Sequence, residues 1–348
     1  MRIGIDARLV RAYGIGSYVR GLLHGLALLG GDEQYVVFAR PRDRAFVPAA
    51  FEIVDADVEP YTLSAPLRMG RIVARARLDL LHVPHFTLPW SDVPIVTTLF
   101  DAIPFHYKLP NPVAFSYIAL MMQTAARRAR RILTISHAAR RDLAGALDVD
   151  PERMTVVHIG VGEQYFREGS AATEWKPYFL FVGRAAGHKN IGTLLEALTI
   201  VRRRDPSIRL VLAGDRHDAR GVEGVVVPGY VSEEELLAMY RGALAVVMPS
   251  FMEGFGLPPL EGMALGTPAI TSTAEALVEV TGDASLHVDA RSRGQLAEAM
   301  LRLRNDTELR SLLAERGRER ARRFTWRACA EATRAVYFEE LSLQSGSR

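Results

Sequence analysis

From its first residues the chain alternates short apolar runs with amphipathic stretches of helical period. Residues 2–5 read as a strand that opens into a loop, residues 6–16, containing Gly14-Ile15-Gly16. A helix follows from Ser17, with Tyr18, Leu22, Leu23, Leu26 and Leu29 on one side and Gly30-Gly31 closing it. Strand, glycine loop and helix form the first piece of a doubly wound sheet. Further strands are predicted at residues 35–39, 78–83, 95–99 and 131–135, with helices at 67–76 and 113–128. The stretch 113–122 is apolar enough for an interfacial anchor, but at that length a buried helix is the expectation.

The alternation breaks between residues 160 and 177, where Gly160, Gly162, Gly169-Ser170 and Pro177 mark an interdomain linker. It then restarts with strands at 178–182, 209–213, 225–227, 244–248 and 269–271 and helices at 191–204, 232–241 and 258–265, before long helical patterns run to the end. The fold class is therefore α/β: two Rossmann-like domains, 1–168 and 175–326, expected to face each other across a cleft, with a helix over 327–348 packing back on the first. The pattern excludes a repeat architecture.

Composition adds limits. The 348 residues are 49% hydrophobic and 24% charged, ample for two cores. No apolar run reaches the ~18 to 20 residues of a bilayer span, and the start lacks a signal-peptide pattern, so a cytoplasmic or peripheral protein is expected. The single cysteine, Cys329, excludes an internal disulfide and a cysteine zinc cage. A net charge of +3 is too weak to argue for nucleic acid. Arg68, Arg71, Arg75 and Arg77, and again Arg127, Arg128, Arg130 and Arg131, read as solvated faces, with peripheral contact to an anionic membrane or acceptor as the sharper alternative. Of 43 basic residues only Lys108, Lys176 and Lys189 are lysine.

The most informative segment is residues 249–261, PSFMEGFGLPPLE. It leaves a strand, passes a Gly-Phe-Gly turn and enters a helix with two prolines in its first turn. Amides of Gly254, Phe255, Gly256 and Leu257, with the helix dipole, suit an anion or sugar hydroxyls. Glu253 and Glu261 flank the turn, and carboxylates accept paired hydrogen bonds from neighbouring hydroxyls such as those of a sugar or ribose.

A second loop, FVGRAAGHKN at residues 181–190, places Arg184 and Lys189 between a strand and a helix, where positive charge suits a departing diphosphate. It lacks the Gly-Lys-Ser/Thr of a Walker loop. Gly14-Ile15-Gly16 has Val19 where a dinucleotide fingerprint has its third glycine, which argues against NAD. In residues 82–85 Pro84 breaks the helical spacing of a metalloprotease motif, so His82 and His85 read as lining or packing. Asp55-x-Asp57 and Asp148-x-Asp150 match a metal-binding Asp-x-Asp only superficially, since Asp150-Pro151 reads as a turn. No metal and no cofactor are expected.

Glu253 and Glu261, embedded in the run from Glu253 to Pro268, resemble the E-x7-E motif of glycosyltransferase family 4, retaining enzymes of the GT-B fold. The resemblance implies that Glu253 contacts donor-sugar hydroxyls, that Glu261 binds the ribose, and that the amides of Gly254 to Leu257 hold sugar and diphosphate. It implies diphosphate binding by Gly183, Arg184 and Lys189, a base near Gly229, Tyr230 and Val231, and Gly16 beside the diphosphate or acceptor. Where many members carry His-Asp, this chain has Phe100-Asp101, leaving Asp101 to touch sugar or acceptor. Gly162 and His137 also depart from the usual Asp and Glu. The overall look resembles bacterial mannosyltransferases of polysaccharide assembly. The implied partners are a nucleotide-sugar donor, GDP-mannose ahead of UDP-glucose, and a saccharide or lipid-linked acceptor. A phosphorylase-like enzyme would need a cofactor lysine, and a hydrolase a Gly-x-Ser-x-Gly elbow that is absent. A non-catalytic nucleotide-sugar binder is the alternative class.

Overall fold

The computed structural model describes residues 1–107, 111–214 and 218–345. The chain divides into two compact units, Met1–Gly160 together with the chain from Thr325, and Val161–Phe324. The residues 346–348 of the expected C-terminal helix lie outside the described residues.

In the first unit, in chain order, stand β1 (Arg2–Asp6), α1 (Ile15–Leu29), β2 (Gln34–Ala39), β3 (Glu52–Asp55), α2 (Ala65–Arg75), β4 (Leu80–Val83), β5 (Ile95–Thr98), α3 (Ile103–His106), α4 (Pro112–Arg128), β6 (Arg131–Thr134), α5 (His137–Leu147) and β7 (Met154–Val156). They build a parallel sheet ordered β3-β2-β1-β4-β5-β6-β7. Ile3 and Ile5 of the central β1 are wholly buried, as expected for a strand covered on both faces. The two edge strands escape the apolar pattern because β3 is bounded by Glu52 and Asp55 and β7 spans only three residues.

The helix Trp326–Ser345 returns to this unit and packs on α1. Gly21 makes room for it: a Cβ there would lie 2.1 Å from the Trp326 ring. Arg131 adds ion pairs to Glu339 and Glu340 from the sheet. The helix α4 corrects one expectation. Only Met122, Ala125 and Ala126 are buried, while Val113 and Leu120 are 77% and 58% exposed, so its N-terminal part is not a core helix. Its apolar residues are spread around the axis rather than gathered on one face.

The second unit contains β8 (Tyr178–Val182), α6 (Ile191–Arg204), β9 (Arg209–Ala213), β10 (Val225–Val226), α7 (Glu233–Gly242), β11 (Val246–Met248), α8 (Leu257–Ala264), β12 (Ala269–Ser272), α9 (Glu275–Thr281), β13 (Ser285–Val288), α10 (Arg293–Asn305) and α11 (Thr307–Ala321). Its parallel sheet runs β10-β9-β8-β11-β12-β13 over a core that includes Phe179, Phe181, Leu198, Val247, Ile270 and Met300. Ser232 caps α7 in a reciprocal box with Glu235. The division between units falls earlier than residue 168. Val161 donates to the Phe324 carbonyl at 2.9 Å, and Tyr165 is buried with its ring edge-on to Tyr240, which ties residues 161–166 to the second unit.

Candidate active site

In the second sheet the chain runs from β8 outward to β10 on one side and from β11 outward to β13 on the other. The neighbours β8 and β11 are therefore the topological switch point, where loops leaving the carboxyl ends of strands diverge and leave a crevice. The loops that leave here are residues 183–190 and 249–256, the two segments the sequence singles out.

They are tied together by backbone and amide contacts. Phe251 N–H donates to the His188 carbonyl at 2.7 Å. Asn190 takes the left-handed conformation (φ 56°, ψ 40°), and its buried Nδ2 donates to the carbonyls of Pro249 (3.0 Å) and Ala290 (2.6 Å). Asn tolerates that conformation because its short polar side chain bonds locally. With the loop pinned, Lys189 Nζ donates to both carboxylate oxygens of Glu253, at 2.7 and 2.9 Å. The side chains are 17% and 9% exposed, so this ion pair is largely withdrawn from solvent. Burial holds His188 below its ordinary pKa; Glu253 opposes the shift and Lys189 adds to it. Arg184, by contrast, is exposed and makes no ion pair among the described residues.

Gly256 sits at the N-cap of α8 with φ 112°, and a Cβ there would come within 2.6 Å of Leu277, so both backbone conformation and packing demand glycine. Pro258 and Pro259 fill the first turn and carry no N–H. The donors at this helix start therefore come down to the amides of Gly256 and Leu257. Phe255 is a packing residue, its buried ring edge-on to Phe324 at 5.7 Å, so what the turn offers a ligand is backbone.

Glu261 lies on α8, its carboxylate accepting a 2.7 Å hydrogen bond from the Tyr240 hydroxyl and another from Tyr165. Burial pushes this carboxyl up to about 7, with the tyrosines pulling the other way and Glu233 adding to the rise. The two glutamates are thus set differently: Glu253 is matched to an ammonium, and Glu261 is poised between its neutral and ionised forms near neutral pH. Tyr240 and Tyr165 escaped sequence reasoning, since nothing in their spacing links them to Glu261. Tyr230, after Gly229 (φ 84°), is 97% exposed, with Val231 half-buried beside it, and Gly183 (φ 147°) leaves β8.

Gly16 and Asp101 belong to the first unit. A Cβ on Gly16 would stand 2.5 Å from the Val10 carbonyl oxygen, so close packing of α1 on its preceding loop already requires glycine. Asp101 accepts from the Ile103 amide at 3.0 Å, at the start of α3. Phe100 meets the Tyr18 ring edge-on at 5.1 Å. Asp55 ends β3 in an exposed ion pair with Arg44, whereas Asp148 ends α5 and Asp150 accepts from the Glu152 amide, local roles at a cap and a turn.

The first sheet holds a cluster that sequence reasoning missed. At its own switch point, between β1 and β4, Arg8 clasps the buried Asp6 carboxylate (2.6 and 2.9 Å). His85 Nδ1 accepts from the Thr87 amide, leaving Nε2–H to donate to Asp6 at 3.1 Å. Burial alone would raise the Asp6 carboxyl, but Arg8 and His85 hold it well below the carboxylate range. His82 instead serves packing: it bonds Tyr337 (2.6 Å) and Thr98 (2.8 Å), and burial lowers its pKa to about 3. A short Asp-x-Arg after a strand was the available signal for the cluster, and it is too common to single out.

Two family models match side by side: Glycosyltransferase Family 4 over residues 12–164 and Glycosyl transferases group 1 over 163–320. The chain belongs to glycosyltransferase family 4. This glycosyltransferase is 29% identical over 302 residues to O-antigen chain mannosyltransferase B of Escherichia coli, covering 80% of this chain and 79% of that protein. It is also 29% identical to O-antigen chain mannosyltransferase RfbU of Salmonella typhimurium, covering 66% of each. Among solved structures, sucrose-phosphate synthase from Thermosynechococcus elongatus matches with a TM-score of 0.78 at 20% identity over 99% of this chain and all of that one. Anabaena HepE, solved with UDP and glucose, matches with a TM-score of 0.75 at 15% identity over 97% and 100%. The glycosyltransferase thus has the GT-B architecture of two Rossmann-like domains. Among its described residues no helix is long and apolar enough to cross a membrane.

Proposed function

We propose that this glycosyltransferase moves mannose from GDP-mannose, with retention at the anomeric carbon, onto a saccharide or lipid-linked acceptor of cell-envelope polysaccharide or glycolipid synthesis. The observation that carries the reading is the Lys189–Glu253 ion pair at the switch point of the second sheet, one helical start away from Glu261. The mannosyltransferase names of the relatives support the sugar.

On this reading the exposed Arg184 is the first cation a diphosphate meets, and Lys189 joins it by sharing its ammonium between Glu253 and phosphate. The amides of Gly256 and Leu257 face the same charge with the positive end of the α8 dipole. Glu253 orients the sugar hydroxyls, Glu261 takes the ribose diol and Tyr230 offers a face to the base. As the glycosidic bond to phosphate breaks, Arg184 and Lys189 stabilise the negative charge on the leaving oxygen, which accepts the proton of the acceptor hydroxyl arriving on the same face. Two cations and two amides supply the positive charge, so the reaction is expected to proceed in EDTA. Asp101, whose carboxylate accepts from the Ile103 amide, is the first-unit acid assigned to touch sugar or acceptor. The exposed arginines of α2 provide a peripheral contact to an anionic membrane.

A donor panel tests this. GDP-mannose should raise the melting temperature more than UDP-glucose, since binding at a hundredfold excess over Kd stabilises by about 2.7 kcal/mol. Released sugar should keep the α configuration. A larger shift with UDP-glucose would move the reading to a UDP-sugar transferase, and binding without turnover to a nucleotide-sugar binder.

A further inference from the structure

In the first unit, Tyr61 and Phe86 stack with ring centroids 5.2 Å apart and planes 24° from parallel. Tyr61 also meets His85 edge-on at 6.2 Å, so the pair stands directly on the Asp6–Arg8–His85 cluster at the carboxyl ends of β1 and β4. That cluster is dry and fully bonded: His85 and Asp6 are at most 1% exposed, and Arg8 also donates to the Val58 carbonyl. It fixes the segment that carries Tyr61, a residue that is nonetheless 41% exposed. A rigid base under a half-exposed aromatic face is what a binding platform needs and what simple packing does not.

Two residues before Tyr61, the same segment lines an open surface cavity of about 340 Å³ with Arg40, Arg42, Asp57 and Glu59. That volume lies within the ~300 to 1,000 Å³ range of small-molecule sites. Arg40 holds Glu59 at 2.8 Å through one amino group, while its Nε is buried with no partner among the described residues. Two guanidinium groups beside two carboxylates offer donors and acceptors together, which is chemistry for neutral polyols, since these both donate and accept. A phosphate would be repelled by the acids, and an ammonium by the arginines. The electron-rich face of an aromatic ring, in turn, suits the C–H face of a pyranose.

We propose that the first unit carries a two-part saccharide acceptor site, the Tyr61–Phe86 platform for one sugar and the Arg40–Glu59 cavity for the next, so that the acceptor is an oligosaccharide rather than a single sugar. This rests on the sugar-transfer reading but uses residues of the first unit alone. Burial, then Asp6, push the Tyr61 phenol up to about 12 against Arg8, which keeps its hydroxyl a neutral donor at any working pH.

Calorimetric titration of the full chain with methyl α-mannoside, α-linked mannobioses, mannotriose, maltose and cellobiose tests it, with GDP and UDP titrated alongside. At least one disaccharide should bind ten times or more tighter than the methyl glycoside. Tyr61→Ala should weaken both about tenfold with GDP affinity kept, Tyr61→Phe should retain binding, and Glu59→Gln should weaken only the disaccharide. The proposal is overturned if no saccharide binds the wild type, if mono- and disaccharides bind alike, or if Tyr61→Ala binds as wild type. Failure of both GDP and UDP to bind would sink the donor reading instead, and the saccharide titrations would still decide this one.

Discussion

At the scale of single residues, the site is a matter of which charges are already matched. Lys189 is neutralised by Glu253, so on the proposed reading the local field a diphosphate would meet comes from Arg184. Removing the carboxylate should release the ammonium: Glu253→Gln is expected to bind GDP roughly three- to tenfold tighter, measured by calorimetry, because a partly buried cation gains a new partner. Unchanged or weaker GDP binding would mean that Lys189 does not reach the diphosphate. Glu261 makes a pH prediction. Its folded-state pKa of about 7 lies above the ordinary 4.5, so the folded chain holds this proton more tightly than the unfolded chain. Its stabilising proton is fully present below pH 4.5 and lost as pH rises toward 7. Glu261→Gln should therefore unfold at higher urea than wild type at pH 8, by up to about 3 kcal/mol, and show no such gain at pH 4. The sequence places both glutamates through their spacing. It does not reveal that one would be paired and the other held half-protonated, because Lys189, Tyr240 and Tyr165 reach them only through the fold.

At the scale of elements, the central strands and the helices that follow them were legible, since burial on both faces leaves an unbroken apolar run. The edge strands β3 and β7, and β13 beyond the last central run, were not: they are three or four residues long and partly polar. The apolar content of α4 was visible but its direction was not, which is why a helix expected in the core proves half exposed. The return of the C-terminal helix rests on a glycine whose reason is invisible without Trp326. Gly21→Ala places a methyl where the indole lies and should lower stability by about 1 to 3 kcal/mol, read by thermal unfolding. If Gly21→Ala melts as wild type, the helix is less firmly seated than its contacts with α1 imply.

At the scale of the whole molecule, two sheets of the same winding each place their chemistry at the switch point, and the two sites differ in kind. The second sheet presents cations, amides and carboxylates on glycine-rich loops, whereas the first presents aromatic rings on a buried ion cluster. The +3 surplus of the chain falls within its first 170 residues, which hold 20 basic and 17 acidic side chains. On the proposed reading, the half that takes the donor therefore attracts a nucleotide only locally. On that reading moderate salt should weaken GDP binding by screening the exposed Arg184, while the partly buried Lys189–Glu253 pair is screened less.

On the proposed reading Lys189 and Glu253 act together on a GDP-mannose donor. The most direct measurement is the rate of GDP release from GDP-mannose in EDTA, with and without an oligosaccharide acceptor, for wild type, Lys189→Ala and Glu253→Gln. Wild type should turn over, Lys189→Ala should lose on the order of 10² to 10³ in kcat, the scale of losing one electrostatic contact to a leaving group, and Glu253→Gln should also lose kcat, because the sugar is no longer oriented, although it binds GDP more tightly. Variants that are folded by their melting curves and still turn over at the wild-type rate would contradict that reading.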